Sequence, residues 1–138
     1  MMCNGPVAWA SRLQKVSAES ACEAEYMALT EAMHECMWFR SLLKSLGHEQ
    51  EKPTRILQDN QASINLVNNP EFHRRTKHIG IKFHRVRQEK RSGTLTVDYV
   101  ETENNIADCL TKGVTSVVLH KNLTLMNVYR ANENNSGA

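Results

Sequence analysis

The chain has 138 residues, 41% of them apolar, and a formal net charge of only +2. That is one ordinary domain's worth of polypeptide, with enough apolar material for a packed core. No apolar run reaches the roughly 18 residues of a membrane span, and no basic segment leading into an apolar stretch marks a signal peptide; the expected setting is intracellular, cytoplasmic (as in a virus-like particle) or nuclear, with no membrane.

Four cysteines, Cys3, Cys22, Cys36 and Cys109, form no C-x-x-C pair and no zinc-module spacing. They read as free thiols in a reducing compartment. Charge is lopsided along the chain: residues 73–91 hold eight Lys or Arg against Glu89 alone, giving +7, and the remainder carries −5. A basic block set beside an acidic body points to a polyanionic partner.

In chain order, residues 6–15 alternate Val7, Trp9 and Leu13 with small or polar residues, which predicts a strand running into a turn near Gln14 and Lys15. Trp9 and Trp38 are expected in the core, with nucleotide stacking as the alternative for Trp9. Ser20 and Glu23 make a capping box, Leu29, Met33, Cys36 and Leu43 form an apolar stripe, and Gly47 is a stop, so a long helix is predicted over 21–46. A short buried strand follows over 54–58. Asp59 or Asn60 then caps a helix over 61–68, which ends at Asn69-Pro70.

A helix from about Lys77 puts Ile79, Phe83 and Val86 on one side and a largely cationic face on the other. Gly93 breaks it. Leu95, Val97 and Tyr99 then alternate as a half-buried strand, Asn104 or Asn105 caps a short helix through Lys112, and Val114 to Met126 support a final helix. Residues 127–138 are expected to be a flexible tail on a domain of 1–126. The alternation of strands and helices predicts an α/β layered fold.

Three carboxylates stand in suggestive places. Glu25 extends the apolar stripe of the long helix by one turn, Asp59 lies where a strand stops, and Asp108 falls in the first turn of a helix. Each has a structural alternative, namely dipole stabilisation for Glu25 and Asp108 and capping for Asp59. Converging carboxylates, however, are how proteins bind Mg²⁺, and two such ions can drive phosphodiester hydrolysis.

The motifs A-C-E-A-E-Y-M-A-L (21–29), Q-D-N-Q-A-S-I (58–64), N-P-E-F-H-R-R-T-K-H-I-G-I-K-F-H (69–84) and Y-V-E-T-E-N-N-I-A-D-C-L-T-K (99–112) occur in this order. Together with P-V-A-W-A-S-R-L-Q-K (6–15), they resemble the ribonuclease H domain of copia-type LTR retrotransposon Pol polyproteins. The resemblance implies a ribonuclease H-like fold and hydrolysis of the RNA strand of RNA–DNA hybrids with two Mg²⁺ or Mn²⁺ ions. It implies catalytic, metal-holding roles for Glu25, Asp59 and Asp108. Hybrid contacts would fall to Gln14, Lys15, Asn60, His73, Arg75, Lys77, His78, Lys82 and Arg85. A zinc site from His73, His78 and His84 is less favoured, because no cysteine or fourth ligand lies nearby.

The resemblance also places the family's first aspartate, with the first two strands of its central mixed sheet, upstream of Pro6. The expectation is therefore an incomplete fold with two open strand edges, impaired hydrolysis, and pairing with another chain or with the reverse transcriptase portion of the polyprotein. Gly80 and Gly113 stand where the family has aspartate and proline; neither touches the expected metal site. The alternative is a non-catalytic nucleic-acid-binding or interaction remnant, marked by salt-sensitive hybrid binding without cleavage.

Overall fold

In a computed structural model of the protein, residues 5–11, 13, 14, 18, 20–69 and 80–129 are described, the last stretch with side chains from 84 onward. They fall into two compact units: a central one, Gln14–Asn105, and a flanking one drawn from Met1–Leu13 and Ile106–Ala138.

The central unit begins with Ser20, whose Oγ accepts from the Glu23 backbone N–H at 3.2 Å and so satisfies one orphan donor of the first turn. Helix α1 then runs Ala21–Ser45. It closes where Gly47 turns to φ +81°, a backbone region that glycine enters without steric cost, and His48 N–H donates to Leu43 O at 2.8 Å. Arg40 then holds the exit loop against the helix: its guanidinium donates to Lys52 O and Thr54 Oγ1, each at 2.9 Å, and to Gln50 O.

Strand β1, Thr54–Gln58, pairs in parallel with β2, Leu95–Tyr99, in the register Thr54 to Leu95 through Gln58 to Tyr99. Parallel neighbours need a long crossover. Here it contains helices α2, Gln61–Asn68, and α3, Gly80–Arg91. Tyr26, Leu29 and Met33 of α1, Leu66 and Val67 of α2, Val86 of α3, and Leu95 and Val97 of β2 form one buried cluster. On the opposite side of the sheet Arg55 Nε meets Asp98 Oδ2 at 2.7 Å, an exposed pair worth at most about 1 kcal/mol.

The end of α2 is closed from outside. Arg87, 6% exposed, donates through Nε to Val67 O at 3.2 Å and through Nη2 to Asn69 O at 2.8 Å and to Leu66 O. Those carbonyls are among the last-turn acceptors that a helix leaves without internal partners. Residue 87 lies next to the fully buried Val86, about 100° round the helix, so helical spacing sets it at the border of the inward face.

In the flanking unit Ser11 Oγ donates to Leu110 O at 2.6 Å, and helix α4, Ser116–Leu125, is capped by Thr115 Oγ1 accepting from Val118 N–H at 3.4 Å. Asn127, at φ 56°, closes α4, with Val128 N–H on Leu123 O at 2.9 Å. Residues 130–138 of the expected tail lie outside the described residues.

Three expectations are corrected. The strand over 6–15 is not formed among the described residues of that stretch, where Trp9 is 72% and Leu13 96% exposed. Alternation fits a residue to a pleated surface, but a strand exists only with a hydrogen-bonded neighbour. Trp38 is 57% exposed rather than core. At roughly 100° per residue it lies about half a turn round α1 from Leu29, and its ring meets Phe39 edge-on. The helix expected through Lys112 is instead two 3₁₀ segments, Thr102–Asn104 in the central unit and Ile106–Leu110 in the flanking one. Short Asn-rich stretches favour this tighter turn.

Candidate functional site

The C-terminal end of β1 is organised by a side chain that the sequence reading passed over. Gln58 is 5% exposed and its amide is engaged on both sides: Nε2 donates to Glu25 O at 3.3 Å and, more weakly, to Ser63 Oγ at 3.5 Å, and Oε1 accepts from Asp59 N–H at 3.0 Å. One buried amide therefore ties the Glu25 turn of α1 to the Asp59 end of β1 and the first turn of α2. A signal for it was available, since the period of two along a strand sets Gln58 on the same side as Thr54 and Ile56, facing inward.

Asp59 and Asn60 divide the work at this point. Asn60 Oδ1 accepts from Ser63 N–H at 3.0 Å and is the cap of α2. The half-buried Asp59 carboxylate makes no hydrogen bond or ion pair among the described residues. The capping role that would have explained Asp59 structurally is thus taken by its neighbour. A carboxylate at a strand end, half-withdrawn from water and left uncommitted, is suited to accept a cation.

Glu25 is half-buried on α1, one turn from Cys22. Burial pushes the Cys22 thiol above its ordinary pKa, with the charges of Glu23 and then Glu25 adding to the effect. The negative field of Glu25 is therefore felt at this edge of the helix.

Asp108 belongs to the flanking unit, within the 3₁₀ segment Ile106–Leu110. Its side chain is 16% exposed, and Lys112 Nζ stands 2.8 Å from Oδ2, one turn on. A 3₁₀ segment this short supplies little macrodipole, and the lysine adds a direct positive charge beside the carboxylate. Within each unit, no group of three or more His, Cys, Asp or Glu is gathered among the described residues in a way that could hold a metal.

The expected hybrid-contacting set is partly redistributed. Gln14 Nε2 donates to Ala24 O at 2.8 Å, so this side chain braces the start of α1, and Asn60 is occupied as a cap. Arg85 is exposed on α3, with His84 and Arg91 also exposed on that helix. Lys82 lies in α3, but its side chain is outside the described set, as are Lys15, His73, Arg75, Lys77 and His78 altogether. Arg87, counted in the basic block, is withdrawn from solvent to close α2, and Lys90 Nζ donates to Asn68 Oδ1. The outward charge of α3 is correspondingly smaller than its composition.

No family model matches the chain. No solved structure matches it either. Among curated proteins, it is 39% identical over 112 residues to the retrovirus-related Pol polyprotein from transposon RE2 of Arabidopsis thaliana, covering 81% of this chain and 8% of the relative. It is 41% identical over 107 residues to the corresponding polyprotein of transposon RE1 of the same plant, covering 78% and 7%. With that of transposon TNT 1-94 of Nicotiana tabacum it shares 40% identity over 110 residues, covering 80% and 8%. The chain spans less than a tenth of the length of these relatives. Among the described residues, no helix is long and apolar enough to cross a membrane. By descent, then, this chain is similar to one short segment of retrovirus-related Pol polyproteins from transposons.

Proposed function

We propose that this segment is the ribonuclease H region of a copia-type retrotransposon polyprotein, hydrolysing the RNA strand of RNA–DNA hybrids. In this reading the parallel pair β1 and β2, with α1 to α3 around it, forms part of a ribonuclease H-like sheet and its helices. Glu25, Asp59 and Asp108 supply hard carboxylate oxygens to Mg²⁺ or Mn²⁺. That donor chemistry fits, because Mg²⁺ is commonly held by one or two carboxylates with substrate phosphates completing its shell. When bound, a pair of such ions activates a water and stabilises the leaving oxygen of a phosphodiester. The chain's own part is to present these carboxylates and to neutralise the hybrid's phosphates with Arg85 and the other cations of the basic block.

The observation that carries the reading is the state of Asp59. It stands at a strand end, relieved of capping by Asn60 and joined through Gln58 to the Glu25 turn. The test is incubation of labelled RNA–DNA hybrid with Mn²⁺ and either the chain itself or the chain joined to the upstream residues of a relative that carry the family's first aspartate. Cleavage of the RNA strand by the joined protein, lost in Asp59→Asn, is the expected result. Cleavage that survives Asp59→Asn would refute the site. The ion pair of Asp108 with Lys112 favours a second reading, a non-catalytic hybrid-binding segment. That reading predicts salt-sensitive binding with no cleavage by either protein.

A further inference from the structure

Gln58 is a buried polar side chain in a five-residue strand, where an apolar residue would serve the core more simply. Burying an amide is costly unless it is fully hydrogen-bonded, and this one is bonded on both its donor and acceptor sides. Its partners come from three elements rather than one: the backbone carbonyl of Glu25 in α1, the backbone N–H of Asp59 after β1, and the Ser63 hydroxyl in α2. Ser63 is itself fully buried, and its N–H is held by Asn60.

The amide oxygen and nitrogen of one glutamine are separated by a fixed planar geometry. Holding Glu25 O with one and Asp59 N–H with the other therefore fixes the spacing between the two acid-bearing backbones. We propose that Gln58 is a positioning residue that sets the separation of Glu25 and Asp59 so that both carboxylates can serve one divalent cation; the inference rests on the metal-site reading above. It acts as an outer support does in metal sites, through hydrogen bonds to the segments carrying the ligands and not by touching the ion. Loss of such supports typically weakens metal affinity about 10- to 100-fold.

The experiment titrates Mn²⁺ into the full chain and follows free ion by electron paramagnetic resonance, with circular-dichroism melts of the metal-free proteins alongside. Glu25→Gln and Asp59→Asn identify the site. Gln58→Met keeps the length and bulk of the side chain while removing both hydrogen bonds, and Gln58→Glu keeps only an acceptor for Asp59 N–H. The expected result is a loss of Mn²⁺ affinity of about tenfold or more in Gln58→Met, a smaller loss in Gln58→Glu, and cooperative metal-free melting in both. A purely structural glutamine would lower the melting temperature without altering affinity in the folded protein. If Glu25→Gln and Asp59→Asn weaken binding and Gln58→Met does not, the positioning role is overturned and the metal site stands. If neither acid matters to binding, the site and the role of Gln58 fall together. Should Gln58→Met fail to fold, Gln58→Glu decides, since unchanged affinity there removes any need for the bond to Glu25 O.

Discussion

The central and flanking units differ in how they use apolar residues. Among the described residues between Tyr26 and Val97 the central unit buries nine apolar side chains, with Tyr26, Met33, Val86 and Leu95 at 0% exposure. In the flanking unit Asn122 is the sole buried residue among those described, and Val117, Leu125 and Tyr129 are 77%, 52% and 70% exposed. Similar local propensity thus produces a core in one region and exposed helix faces in the other. What separates them is a parallel strand pair against which three helices can bury a stripe.

The largest expected effect that sharpens this contrast is Met33→Ala, which should destabilise the central unit by about 2–5 kcal/mol in urea titration, the range for emptying a packed methionine site. Val117→Ala in α4 should stay within about 0.5 kcal/mol. An equal cost at both positions would break the distinction. Next in size is Arg87→Met, which strips the last-turn carbonyls of α2 of a charged donor and should cost about 1.5–3 kcal/mol. Arg91→Met on the exposed side of the same helix should change stability by no more than about 0.5 kcal/mol.

Most of the central unit was legible because its signals are local and mutually consistent. The Ser20 cap, the Leu29 and Met33 stripe, the Gly47 stop and the alternation of Leu95, Val97 and Tyr99 each depend on near neighbours in sequence, whereas the strand at Thr54–Gln58, expected to be buried, leaves Leu57 49% exposed on its outer face. Trp9 and Trp38 are exposed against expectation because hydrophobicity does not say which face a residue occupies or whether a strand finds a neighbour. Gln58 and Arg87 were missed for the opposite reason. A polar residue reads as surface until its partners, 33 positions away for Gln58 and Glu25 and 18 to 21 for Arg87 and the end of α2, are seen. Of the candidate site, Glu25 and Asp59 were readable as residues. That Asn60, and not Asp59, caps α2 required coordinates, because both types suit that position equally.

A smaller effect separates the units by pH. Burial holds the Tyr26 phenol above its ordinary pKa, with Arg87 partly opposing the shift. The neutral phenol is retained in the folded chain after the unfolded chain, with a tyrosine pKa of about 10, has begun to ionise. Its contribution is therefore full below about pH 10 and declines as pH rises further toward the folded value. Urea midpoints should fall above about pH 10 in the parent protein and fall less in Tyr26→Phe. A parallel decline in both would remove Tyr26 from the explanation. The smallest predicted change concerns Cys22, whose raised pKa should make it slow toward maleimide near neutral pH, and modestly faster in Glu25→Gln once that nearby charge is gone. An unchanged or slower rate would show that Glu25 does not face the thiol.

The reading proposed above has Glu25 and Asp59, both of the central unit, serve one cation site. Amide nuclear magnetic resonance of the full chain with substoichiometric Mn²⁺ tests it most directly, because the paramagnetic ion broadens signals near it. Signals at Glu25 and Asp59 are expected to broaden together and to recover together in Asp59→Asn. Broadening that spares either Glu25 or Asp59, or that persists unchanged in Asp59→Asn, would contradict the shared site.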